Sequence, residues 1–223
     1  MLKIIPFLNE LAQHNHKSWF DENRNSYQEA RAELLDFVEN LLKQLSKANP
    51  WMLTLKPNTC LFRINRDVRF SKNKNPYKTH AGIYMAPGGR NSGNAGFYIH
   101  IEPSKSFIGG GVYGPEPNVL KAIRREIYFN AAAFKQIVLN EGFQKTFGQL
   151  MDERLKRPPK GFPADFPDME WLKYKHFVVS HSISNEDIGF DKLLNISVKV
   201  CGQMNPFIDF LNHAILNVEE LLP

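Results

Sequence analysis

Three short apolar runs, set close together, limit the folds open to this chain. His80 to Ala86, Phe97 to Glu102 and Phe107 to Tyr113 each read as a strand. The first two flank Pro87 to Gly96, a Gly- and Asn-rich connection read as a mobile hairpin loop. Strands joined this closely favour a mainly antiparallel sheet, and the missing βαβ alternation disfavours a doubly wound fold. Two more strands are expected, over Thr59 to Phe70 and over Tyr174 to Ile183, the latter with His176 and His181 on opposite faces. Helical periodicity fills the rest, so the expected architecture is α+β: a sheet packed against several helices. At 223 residues the chain is long enough for one domain, 1–223, with a full core. The expected parts are a long N-terminal helix (about 17–48), a sheet core (about 59–113 plus 174–183) and C-terminal helices (about 184–222).

Pro6 to Gln13 reads as a short amphipathic helix ahead of the long one, which ends before Asn49-Pro50. Phe20, Tyr27, Leu34 and Leu41 recur every seven residues in the long helix, and that spacing places Asn23 on its inward stripe. An inward amide must find partners, either in the core or on the basic segment described below. Pro115-Glu116-Pro117 opens a helix to about Asn130, and Ala131 to Leu139 continues or restarts it. Ser184 with Asp187 resembles a capping box before the stripe Phe190, Leu193, Leu194, Ser197, Val200, Cys201 and Met204. Asn205-Pro206 then reads as the start of a further helix, whose stripe runs through Phe207, Phe210, Leu211, Ala214, Ile215, Val218 and Leu222.

Charge is unevenly distributed. The chain carries 28 Lys+Arg against 23 Asp+Glu, a net +5. Leu61 to His80 alone holds Arg63, Arg66, Arg69, Lys72, Lys74 and Lys78 against Asp67, so 6 − 1 = +5 and the remainder is neutral at 22 against 22. On an unbroken strand, Cys60, Phe62, Ile64, Val68 and Phe70 share an inner face with Arg66, which then needs an acid partner or a bulge. Arg63, Asn65, Asp67 and Arg69 share the outer face. Arginine forks hold phosphate or carboxylate through paired hydrogen bonds. Arg63, Arg66 and Arg69 are thus candidate anion ligands, oriented by Asp67, with Lys72, Tyr77 and Lys78 closing over the anion from the loop Ser71 to Thr79. Asn23 is a further candidate contact. In Arg157-Pro158-Pro159-Lys160-Gly161 the prolines hold Arg157 and Lys160 stiffly, as a site wall or a plain connector would. The competing view of the whole segment is an ion-pair network in which Arg63 and Arg69 pair with Asp67 and other acids.

The run RINRDVRFSKNKNPYKTH resembles the signature of the uncharacterised family catalogued as domain of unknown function 2461. Trp19-Phe20 with Asn23 and Tyr27, Tyr98 to Pro103, Gly109 to Pro117, Ile123-Arg124 and Leu155 to Pro163 extend the likeness over nearly the whole chain. One departure is His14-Asn15-His16, where paired asparagines are expected. The resemblance implies a single-domain soluble protein and carries no established activity.

No HExxH, CxxC pair, G-x-S-x-G or Walker pattern is present. Gly109-Gly110-Gly111 lacks the Lys-Ser/Thr ending of a phosphate loop and reads as a bulge or close backbone approach, with phosphate cradling the minor alternative. Tyr98, His100 and Glu102 share one strand face. His100 with Glu102 is the candidate acid–base pair, Glu102 orienting the imidazole or raising its pKa. The same two residues, joined by Asp67 or a distant histidine, are the nearest metal ligands; they fall short of the about four that a closed zinc site needs, so neither metal nor cofactor is expected. Cys60 and Cys201 read as buried free thiols. No apolar run approaches the ~18 residues of a membrane span, and a cytoplasmic location is the expectation. Three functions follow, in order: a site for a phosphate- or carboxylate-bearing small molecule, with or without catalysis; a nucleic-acid binding module; and an interaction protein docking an acidic partner.

Overall fold

The computed structural model describes residues 1–217. Helices α1 (Ile4–Gln13), α2 (Lys17–Glu22), α3 (Arg24–Leu45) and the single turn α4 (Pro57–Cys60) lead into strands β1 (Ala81–Met85), β2 (Gly96–Ile101) and β3 (Phe107–Val112). Helices α5 (Pro117–Phe129), α6 (Ala131–Val138), α7 (Glu141–Phe147) and α8 (Met169–Leu172) follow, then strand β4 (Phe177–Ser182) and helix α9 (Phe190–Leu216). The four strands form one sheet in the order β1-β2-β3-β4, antiparallel throughout. The fold is the expected α+β.

Alternation gives the sheet two unlike faces. Ile83, Met85, Phe97, Ile99, Ile101, Ile108 and Val179 are buried on one face, the side that α9 covers. Tyr84, Tyr98, His100, Phe107 and Ser180 fall on the other, which no helix covers to the same extent. The glycines of β3 serve both sides. A Cβ on Gly110 would sit 2.5 Å from Met204 Sδ, so glycine lets α9 approach the sheet closely. Gly109 and Gly111 belong to the open face and leave its centre without side chains.

Three sequence expectations are corrected. Thr59 to Phe70 is not a strand. Pro57 starts the helical turn α4, and beyond it only Leu61 (with Ile83) and Asn65 (with Tyr77) form bridges. The chain then leaves the sheet as a loop closed by Arg66 N–H to the Pro76 carbonyl (2.8 Å) and Lys78 N–H to the Ile64 carbonyl (2.8 Å). With no neighbouring strand to hold the pleat, the inner-face assignment fails: Phe62 is 42% exposed and Phe70 97% exposed. The long N-terminal helix is broken at Asn23, whose backbone leaves the helical region and whose amide donates to the Trp19 carbonyl at 2.9 Å. Pro206 does not begin a helix but lies inside α9. An interior proline costs about 3 kcal/mol, and here the buried stripe Val200, Cys201, Met204, Phe207, Ile208 and Leu211 runs unbroken across it and offsets that cost. Asn205 accepts a hydrogen bond from Asn49 Nδ2 at 3.1 Å instead of capping. Val218 and Leu222 of the expected stripe lie outside the described residues.

Both cysteines are buried free thiols. Burial pushes Cys60 up to about 11, against a smaller opposite effect of the Thr59 hydroxyl, and Cys201 up to about 12. Iodoacetamide at pH 8 is therefore expected to leave both unmodified in the folded protein and to alkylate both in 6 M guanidinium. Mass spectrometry of the intact chain reads the outcome; rapid native labelling of Cys201 would contradict this packing. Among the described residues, no helix is long and apolar enough to cross a membrane.

Candidate functional site

A cleft of about 1000 Å³ lies over the open sheet face. Its floor is the bare backbone of Gly109 and Gly111, and Tyr84, Tyr98, Phe107 and Phe62 supply aromatic walls. Lys78, His80 and Arg90 stand along one side, with Glu116 and Gln149 among the residues lining the rest. A smaller cavity of about 170 Å³, beside Trp171 and Tyr174, holds Arg154, whose charge is met by Asp152 (2.7 Å) and Glu170 (3.7 Å).

The arginines proposed from sequence separate into three kinds. Arg69 is occupied: its fork meets Asp67 through Nε–H to Oδ1 (3.0 Å) and Nη2–H to Oδ2 (2.6 Å), and this pair is exposed. Asp67 is accordingly held below the usual carboxylate range, by the Arg69 side chain first, and orients nothing else. Arg66 closes its own loop, donating to the Asn75 carbonyl (2.9 Å) and to Ser71 Oγ (3.2 Å). Arg63 remains, exposed and close enough to influence Lys78. Tyr77 does not close over the cleft. It is buried, stacked on Phe20 at 4.2 Å, and Asn15 clips both its backbone groups at 3.1 Å. Asn15 thus gives the lead-in before Trp19 a structural task, while Asn23 is spent on its local bond and does not reach the basic segment. Lys72 is exposed on the loop, and Arg157 and Lys160 are exposed and line neither cavity.

Arg90, missed in the sequence, comes from the β1–β2 loop. That loop is tied down by Tyr84 Oη to the Asn94 carbonyl (2.8 Å) and by paired bonds between Asn212 and Ala95 (2.8 and 3.1 Å). Arg90 donates to the Leu61 carbonyl at 2.7 Å, and its Cζ lies 5.0 Å from the Phe62 ring centre. Lys78 Nζ lies 5.3 Å from the same centre. Two cations on one ring gain cation–π energy and repel each other. Burial, then Arg63 and Arg90, lower the Lys78 pKa. Among the described residues, no ion pair involves Arg63, Lys78 or Arg90.

Beside these cations sits the pair His100 and Glu102, with Nε2 to Oε2 at 3.0 Å. His100 Nδ1 meets Tyr98 Oη at 2.9 Å. An ionised carboxylate only accepts, so Nε2–H donates to Glu102, and with the imidazole neutral the Tyr98 hydroxyl donates to Nδ1. The imidazole is packed between His80 (4.5 Å) and Phe107 (4.8 Å) and is 12% exposed at its side chain. His100 therefore lies beneath the cleft surface, and Tyr98 and His80 line it. Burial raises the Tyr98 pKa, with the nearby Glu102 charge adding to it, and burial first, then His100, lowers that of His80. A nitrogen from each of His80 and His100 and an oxygen of Glu102 lie within 4.8 Å of one another; Asp67, taken by Arg69, does not join them.

The fold and the site define an α+β domain whose open sheet face carries aromatic walls, cations unpaired among the described residues and an imidazole–carboxylate cluster. The chain belongs to the family described as conserved hypothetical protein (DUF2461), which matches residues 3–210. No curated protein and no solved structure matches the chain.

Proposed function

We propose that the cleft binds a small molecule bearing a phosphate or carboxylate group, with Lys78 and Arg90 as its anion ligands and Arg63 at the rim. The observation that carries this reading is the grouping of three cations that have no carboxylate partner among the described residues, two of them half-buried at a large aromatic cleft. Like charges drawn together and partly desolvated raise the energy of the free protein, and a bound anion relieves it. Tyr98 lines the same cleft with its ring while its hydroxyl proton is held by His100 Nδ1, and His100 and Glu102 act as positioning residues for it. Phe62, Tyr84 and Phe107 suit the apolar or ring portion of such a ligand. The test is a thermal-unfolding titration with inorganic phosphate and with a dicarboxylate, at constant ionic strength set by chloride. A saturable rise of the midpoint with at least one of the two is expected; no rise with either would remove the basis of the reading.

One observation favours a second reading. Phe70 stands at the tip of the loop with Arg69 close to its ring (5.9 Å) and Lys72 and Lys74 exposed nearby, as a stacking platform for single-stranded nucleic acid would. Retention on single-stranded homopolymer at low salt, lost with Phe70→Ala and falling steeply as salt rises, would favour it over the small-molecule reading.

A further inference from the structure

Antiparallel register brings His80 to a pair of metal-ligand side chains, His100 and Glu102, that lie some twenty residues further along the chain. Ala81 pairs with Ile101 and Gly82 with His100, so His80 lies opposite Glu102 one step beyond the paired strands. Alternation then turns His80, His100 and Glu102 to one face, the open one. We infer that these three residues form a binding site for a divalent transition-metal ion, which they hold on one side while its other positions face the cleft.

The geometry is close to what an ion requires. Two ligands about 2.1 Å from one tetrahedral ion are about 3.4 Å apart; His100 Nε2 and Glu102 Oε2, now joined by a hydrogen bond at 3.0 Å, need to part only slightly to admit one. His80 supplies the third, with the three residues offering ligand atoms that all lie within 4.8 Å of one another. The surrounding groups set the ligands in place. Ser106 Oγ accepts from the Glu102 N–H (3.0 Å) and donates to its carbonyl (2.8 Å), fixing the backbone that carries the carboxylate. Tyr98 engages the far nitrogen of His100, so Nε2 is the atom turned toward Glu102. A Cβ on Gly82 would come within 2.9 Å of the Tyr98 hydroxyl, so glycine at that position keeps room for the Tyr98–His100 contact. When the ion takes Nε2, the ring proton resides on Nδ1 and donates to Tyr98 Oη, which changes from donor to acceptor; no proton is lost from the pair.

Two imidazoles and a carboxylate suit zinc, cobalt, nickel, iron(II) or manganese rather than the all-oxygen shells of magnesium or calcium. The inference stands on this cluster alone and does not depend on the anion reading, although an anion on Lys78 would lie next to the open positions.

The test uses the untagged full chain, stripped with a chelator and titrated with Co²⁺, followed by visible absorption and calorimetry. One ion per chain is expected, with d–d bands indicating mixed nitrogen and oxygen ligands. His80→Asn and Glu102→Gln should each weaken binding at least about tenfold, and circular dichroism confirms that each variant is folded. These two positions are used because His100, packed between two rings, is the one whose loss could disturb folding. His176→Asn is the control, since His176 makes another imidazole–carboxylate contact, 3.0 Å from Glu153, away from this cluster; cobalt affinity in that variant should be unchanged. Absence of stoichiometric uptake, uptake unaltered in both variants, or loss confined to His176→Asn would each overturn the inference. Phosphate titrations on the same metal-free samples keep the two readings apart: a flat phosphate response with intact cobalt uptake sinks only the anion reading, and the reverse result sinks only this one.

Discussion

Combining Lys78→Met with Arg90→Gln is expected to abolish the stabilisation that phosphate or a dicarboxylate gives the wild-type chain. At a ligand concentration 100 times its dissociation constant that stabilisation is about 2.7 kcal/mol, or about 5–10 °C in the unfolding midpoint for a domain of this size. Methionine and glutamine keep most of the aliphatic stem that covers Phe62, so the charge is removed with little loss of packing. Each single substitution should leave partial binding, because the other cation stays on the ring. Arg69→Ala is the informative contrast. Its fork is already filled by Asp67, and an exposed pair of this kind contributes little against solvent screening, so both stability and the anion response should scarcely change. Equal responses in the double variant and the wild type would end the case for Lys78 and Arg90 as ligands.

That contrast shows what the sequence could reveal about the site. The excess of charge in Leu61 to His80 marks a segment that borders the cleft, since Lys78 lines it. A count of charges does not say which cation is already paired, and Asp67 lies two residues from the arginine it occupies. Arg90 carried no signal, since it sits in a Gly- and Asn-rich loop whose placement depends on Asn212 in the last helix. His100 and Glu102 were legible together because i and i+2 share a strand face. His80 was not, because its nearness to them is a matter of register between two strands. The same distinction runs through the fold. Strands β1 to β3 were legible nearly to the residue, each being a short apolar run bounded by turn residues. Thr59 to Phe70 has comparable alternation and yet leaves the sheet, because Asn15, 62 residues from Tyr77, fixes the loop's far end and Arg66 bonds back across it. Local pattern describes what a segment can do; contacts from distant parts of the chain decided what this one did. Pro206 makes the point for helices, since its local meaning as a helix start is overridden by a buried stripe continuous on both sides.

Gly111→Ala is expected to be the most damaging small substitution in the sheet. Gly111 has φ +116°, where an L-residue is strained by about 1–3 kcal/mol, and an added Cβ would overlap the Phe177 carbonyl oxygen. That oxygen belongs to the backbone of β4, on the strand paired with β3, so relief requires the strands to part. Overpacking of this kind adds about 1–3 kcal/mol, for a total of roughly 2–6 kcal/mol in urea unfolding. Gly202→Ala provides the opposite case: it is helical, has nothing within 4 Å of its notional Cβ, and should stabilise by up to about 1 kcal/mol. The two substitutions add the same methyl group, so the difference between them measures backbone conformation and strand spacing rather than hydrophobicity. The proposed ligand site depends on the same geometry, because the backbone that cannot accept a Cβ at Gly111 is also the floor of the cleft. An alanine there that left stability unchanged would mean that β3 and β4 are not paired as described, and the ligand site built over them would have to be redrawn.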